Sequence, residues 1–251
     1  MTKPENYFHE VTVIRKKETV STNADARLMC DGLKTPAVII ADRQSGGRGR
    51  QGKVFHSPEG GLYMTVLLPC GLPISESIGV TSCTAVCVCR AIERITGAQC
   101  AIKWVNDIYL DGRKLAGILV ESVNDYSTMT SEYLIIGIGV NLVNTPEITD
   151  SSVQAISLRE AGFTAERDRL CAEIVREILE IQKNRFSFPL YAEEYRRRSA
   201  VLGHEITFTK NGSQFSGIAE SITSYGGLAV RCGTETVILD SGEISLRINN
   251  C

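Results

Sequence analysis

The sequence predicts an α+β fold, a mixed sheet packed with helices and followed by a small all-β unit. Three observations carry this. Two stretches have helical apolar periodicity, five strand-like runs surround them without a strict β-α-β alternation, and after Gly203 the chain turns to short strands separated by turn residues. In chain order, AVIIA (Ala37 to Ala41) and LYMTVLL (Leu62 to Leu68) read as strands, being apolar and rich in β-branched residues. Ile78 to Ile95, rich in Ala, Val and Ile, reads as a buried helix. KWVNDIYL from Lys103, KLAGILVES from Lys114 and YLIIGIGVNL from Tyr133 read as further strands, with Asp111-Gly112 as a hairpin-turn signal. Leu170, Ile174, Ile178 and Ile181, three or four apart, predict a second helix with one face on the core. The Arg196-Arg197-Arg198 run reads as a solvated helix end. Beyond it, EITFTK, SQFSGIAESIT, LAVRC, TVILD and ISLRI form a small β-barrel or sandwich, its first two strands joined at Asn211-Gly212. The expected domains are therefore residues 1–200 and 201–251.

Composition removes several classes of function. With 43% hydrophobic residues and a net charge of −2, from 27 basic and 29 acidic residues, the chain is neither disordered nor broadly basic like a nucleic-acid-coating protein. No apolar run of about 20 residues is present, so no membrane partner is expected. Met1 to Glu10 lacks a signal-peptide pattern and nine cysteines are an odd count, which predicts a reduced, cytoplasmic chain. Cys83, Cys87 and Cys89 contain no CxxC pair and read as small core residues. His9, His56 and His204 are too few to suggest a histidine-rich metal site or a triad.

Chemistry concentrates in Asp42 to Glu59, DRQSGGRGRQGKVFHSPE. Gly46, Gly47, Gly49 and Gly52 interleave with Arg48, Arg50 and Lys53, and with Arg43 these give four basic residues and no acid between the two ends. Glycine allows close backbone approach and arginine offers a planar fork of donors, a combination suited to surrounding a carboxylate or phosphate. A flexible loop with solvated arginines is the alternative. The spacing fits neither a P-loop nor a dinucleotide-binding glycine motif.

This loop is one of several ordered motifs in which the chain resembles the biotin protein ligase family. The matching residues are Ser21-Thr22-Asn23, Gln44, GRGRQGKVF from Gly47, KWVNDIYL, KLAGILVE and GIGVN from Gly137. Three positions depart from the pattern: Gln51 where a basic residue is frequent, Val105 for the usual proline, and Phe55 where tryptophan is common. The resemblance implies a biotin-lipoate ligase-like sheet, akin to class II aminoacyl-tRNA synthetases, with an SH3-like C-terminal barrel. It implies formation of biotinyl-5'-AMP from biotin and ATP, with Mg²⁺ arriving on ATP and no protein side chain assigned to the metal. Biotin then passes to a lysine of a biotin carboxyl carrier protein or domain.

By the same resemblance, Ser21, Thr22, Asn23, Gln44, Arg48, Gly49, Arg50 and Lys114 bind biotin, and Arg48, Arg50, Phe55, Asn106, Asp107 and Asn141 bind ATP. Arg48, Arg50 and Lys114 are the catalytic candidates, because biotin carboxylate and ATP phosphate repel and need positioned cations. Bland readings stand beside these. Ser21-Thr22-Asn23 also suits a helix N-cap before ADARLMC, Lys114 an edge strand, and Asn106-Asp107 an Asx turn. Gly137 and Gly139 suggest close approach of a ligand to the strand, or a bulge, and Trp104 a core or pocket wall.

Lipoate ligase or octanoyltransferase is the rival reading within the fold. A nucleic-acid-binding regulator is the rival outside it, disfavoured because residues 203–251 carry three Lys or Arg against five Asp or Glu. About 20 residues before Ser21 leave no room for a winged helix-turn-helix, so no DNA partner is expected. An edge strand could dock the carrier or a second subunit in a homodimer.

Overall fold

The computed structural model describes residues 8, 11–146, 154–210, 212–240 and 244–246. Seven strands form the larger sheet: β1 (Thr12–Thr19), β2 (Ala37–Gln44), β3 (Leu62–Pro73), β4 (Ala101–Lys103), β5 (Asp107–Leu110), β6 (Arg113–Asp125) and β7 (Thr130–Val140). Their order is β1-β2-β3-β7-β6-β5-β4. Only β1 and β2 run parallel, so the sheet is mixed as the sequence predicts. β1 was not anticipated, because its exposed edge positions are charged and hide the apolar alternation. KWVNDIYL is split into β4 and β5 by a turn at Trp104 to Asn106, where the Trp104-Val105 peptide is cis. Asp111 and Gly112 turn the next hairpin with φ of 50° and 72°. Positive φ at both central residues matches the right-handed twist of the flanking strands.

Strand alternation divides the sheet into two faces. On one, Val38, Met64, Ile138 and Ile118 join the core with α2 (Val80–Thr96) and α3 (Arg167–Lys183). Gly97 ends α2 at φ 80°, its N–H bonding Glu93 O. Cys83, Cys87 and Cys89 are fully buried on α2, and burial pushes the Cys83 thiol up to about 12 and the other two well above their usual range. On the other face the short α1 (Thr22–Leu28) lies over Ala37, Ile39, Leu67 and Ile135 through Ala26.

The arginine run differs from expectation. Arg198, on the cap of α4 (Ala192–Arg197), bonds Glu93 and Glu194, while Arg196 donates to Ile222 O in the second sheet. Two of the three arginines thus tie elements together, because the helix end lies at a junction. The second sheet is antiparallel, in the order β11-β10-β9-β8-β12. Its strands are β8 (Glu205–Lys210), β9 (Ser213–Ile222), β10 (Leu228–Cys232), β11 (Glu235–Leu239) and β12 (Ile244–Leu246), an SH3-like unit. Of the expected turn, Gly212 has φ 78°, while Asn211, like His9, lies outside the described residues. Ile206, Phe208 and Val230 share one core with the larger sheet, and buried Trp104 donates to Gly226 O at 2.9 Å. Among the described residues no helix is long and apolar enough to cross a membrane.

Candidate active site

The site is built on the α1 face, where the strand register sets three rows. Ala37, Leu67, Ile135 and Glu121 are cross-strand neighbours, then Ile39, Thr65, Gly137 and Leu119, then Ala41, Tyr63, Gly139 and Gly117. The first row is largely apolar and lies under α1. The second becomes polar, and the third loses its side chains at the two glycines.

Polar groups converge over the second row. Ser21 occupies the N-cap of α1, and its carbonyl accepts from Asp25 N–H, but its hydroxyl makes no capping bond. The cap reading thus holds for the backbone alone. Thr22 donates from both its N–H and its hydroxyl to Gln44 Oε1, at 2.8 and 3.1 Å. Gln44 Nε2 donates to Ser57 Oγ at 2.9 Å, and Ser57 donates to Phe55 O at 3.0 Å. The Thr65 hydroxyl lies 2.7 Å from Asn23 Oδ1 and 2.8 Å from Thr22 Oγ1. Asn23 Nδ2 donates to Glu121 Oε2 at 2.8 Å and to Leu119 O at 3.3 Å. Gln44 and Ser57 also border an open cleft of about 500 Å³ with Glu18, Arg43 and His56.

Over the third row lies the aromatic ring of Phe55. An added Cβ on Gly117 would stand 3.0 Å from Phe55 Cε2, and one on Gly139 would overlap the ring outright. Tyr63 meets Phe55 edge to face at 6.4 Å between centroids. A Cβ on Gly137 would overlap the Asn23 amide. The close approach suggested for Gly137 and Gly139 is therefore made by Asn23 and Phe55 of the protein itself, and neither glycine sits at a β-bulge.

The cationic part is assembled from distant segments. The loop after β2 folds back on itself through Gly49 N–H to Lys53 O and Phe55 N–H to Gly47 O. It leaves Arg48 exposed and sends Arg50 Nη1 to Asn106 Oδ1 at 3.2 Å. Asn106 Nδ2 donates to Ile118 O and to Asp107 Oδ1, and Asp107 pairs with Lys114 Nζ at 2.7 Å. Lys114 is half-buried, with its aliphatic stem close to Gly117. Its carbonyl accepts from Ile156 N–H, and its N–H donates to Gln154 O. Lys114 is thus not on an open edge, since β6 lies between β5 and β7.

Asn141 is buried and donates to Ile156 O at 3.1 Å, while its Oδ1 has no partner among the described residues. Thr65 and Ser57 escaped the sequence reading, and Gly117 and Glu121 lay within KLAGILVE without a role assigned to either. The available signal was weak: Thr65 is the polar residue inside LYMTVLL, and Glu121 shares strand parity with Gly117.

Comparison with known proteins gives a consistent result. Residues 11–141 match the Biotin/lipoate A/B protein ligase family, and residues 201–247 match the Biotin protein ligase C terminal domain. The chain is 29% identical over 240 residues to the biotin--[acetyl-CoA-carboxylase] ligase of Mycobacterium tuberculosis, covering 90% of this chain and 86% of that one. To the enzyme of the same name from Paracoccus denitrificans it is 30% identical over 237 residues, covering 90% and 97%. The solved biotin protein ligase from Aquifex aeolicus in complex with biotin and ATP aligns with TM-score 0.77 at 28% identity, covering 94% of this chain and 98% of that one.

Proposed function

The chain belongs to the biotin/lipoate A/B protein ligase family, and from that premise we propose how its site joins biotin to ATP. The protein is an ATP-dependent biotin protein ligase. The observation that carries the mechanism is the Arg50-Asn106-Asp107-Lys114 cluster standing beside a glycine-lined strip of sheet.

In this reading the ureido end of biotin lies among Ser21, Thr22, Asn23 and Gln44, with Gly49 closing the loop side. Its carboxylate points to Lys114. Arg48 and Arg50 hold the phosphates, so that two anions meet against positioned cations. A carboxylate oxygen attacks the α-phosphorus, an O–P bond forms, and the bond to pyrophosphate breaks. The acceptor lysine amine then attacks the acyl carbon, AMP leaves, and the amine loses a proton. No nucleophilic side chain of the ligase is needed, because the mixed anhydride is already activated.

Asp107 orients Lys114 through their ion pair, and its carboxylate would be available to a Mg²⁺ carried by ATP. The buried Oδ1 of Asn141, unpartnered among the described residues, suits the exocyclic amino group of adenine, a donor that would satisfy it. Phe55 leaves the glycine strip as ligand enters and covers the adenine face. Matching to the biotin-type C-terminal domain supports biotin over lipoate or octanoyl substrates.

The partner is a biotin carboxyl carrier, docked along the outer edge of β1, which also suits a homodimer. We place the domain boundary at residues 200 and 201 and the protein in the cytoplasm, with no role on DNA for its mildly acidic C-terminal sheet. The test is mass spectrometry of an apo carrier domain incubated with this protein, ATP and biotin. A gain of one biotinyl group is expected; an unchanged mass with a competent acceptor rejects the reading.

A further inference from the structure

We infer that Glu121 is a positioning residue for biotin, acting by locking the side-chain amide of Asn23 in one orientation. The inference rests on the reading of Asn23 as a biotin contact. Asn23 is only 4% exposed, and each end of its amide meets a group of fixed character. Nδ2 faces two acceptors, Glu121 Oε2 at 2.8 Å and Leu119 O at 3.3 Å, while Oδ1 faces the Thr65 hydroxyl at 2.7 Å. Turning the amide over would set its oxygen against a carboxylate and a carbonyl, neither of which can donate. Nor can the group slide away, because it sits in the notch left by Gly137.

The consequence is a fixed polarity. Asn23 Oδ1 accepts at most one hydrogen bond from the Thr65 hydroxyl and keeps a second lone pair to which a ureido N–H can donate. A carboxylate is better suited to this than an amide, since a glutamine at 121 could donate to a reversed Asn23 and admit both orientations. Arg27 Nη2 touches the other Glu121 oxygen at 3.4 Å from a half-exposed side chain. Such a pair holds the carboxylate only loosely. The locking comes from the buried amide.

The test compares biotin binding by titration calorimetry, steady-state kinetics and thermal melting in the wild-type protein, Glu121→Gln and Arg27→Ala. For Glu121→Gln, biotin affinity is expected to weaken about tenfold and KM for biotin to rise by the same factor, with kcat and KM for ATP unchanged. Its melting temperature should stay within about 2 °C of wild type, and Arg27→Ala should keep biotin affinity within about twofold. The inference is overturned if Glu121→Gln binds biotin within about twofold of wild type, or if both KM values and the melting temperature shift together, as for a purely structural residue. Failure of the wild-type protein itself to bind biotin overturns the ligase reading and this inference with it.

Discussion

The two faces of the large sheet are made by the same strands, yet one is closed core throughout and the other passes from an apolar patch under α1 to the site. On β3, Met64 and Val66 enter the core with α2 and α3, while Tyr63 and Thr65 face α1 and the ligand strip. On β7, Ile136 and Ile138 alternate with Gly137 and Gly139 in the same way. Period-two geometry lets one run of residues specify packing and chemistry independently, because neighbours never share a face. Stability and activity should therefore separate by residue parity.

The sharpest break of that comparison is at Lys114. Lys114→Ala should slow pyrophosphate release at saturating ATP and biotin by about 10²-fold or more, with the melting temperature nearly unchanged. An unaltered rate would remove Lys114 from its role. Next is Gly139→Val, which puts a side chain where Phe55 now lies. Adenylate formation should drop by roughly 10²-fold while the core-side helices stay folded by circular dichroism.

Met64→Ala tests the other face. It should cost about 2–5 kcal/mol in denaturant unfolding, with kcat/KM of the folded enzyme within about threefold of wild type. Equal loss of activity and stability in Met64→Ala and Gly139→Val would dissolve the distinction between faces. The smallest expected effect is Thr65→Val, an isosteric change that removes one donor from the Asn23-Thr22 network. It should raise KM for biotin by up to about tenfold, leaving kcat and KM for ATP unchanged.

Much of the scaffold was legible because buried strands and helices announce themselves by period. The helix around Cys83 to Ile92 and the helix through Ile174 and Ile178 follow directly from apolar spacing. β1 was hidden by its charges, and KWVNDIYL looked continuous because a turn built from Trp104, Val105 and Asn106 has no glycine. Some of the motif-borne candidates meet: Arg50 reaches Asn106, Asp107 reaches Lys114, and Thr22 reaches Gln44, while Arg48 stays exposed on the loop. Sequence could not reveal the groups that orient them. Thr65 and Glu121 reach Asn23 only through strand register and the packing of α1 on the sheet, which no local pattern encodes. The glycines of GIGVN were read as room for a ligand, whereas the room is taken here by Asn23 and Phe55.

The account's central claim, that this face of the sheet joins biotin to ATP through Lys114 and the loop arginines, is tested most directly by exchange of labelled pyrophosphate into ATP. Exchange should require biotin in the wild-type protein and fall by about 10²-fold or more in Lys114→Ala. Exchange that proceeds without biotin, or equally fast in Lys114→Ala, would contradict it.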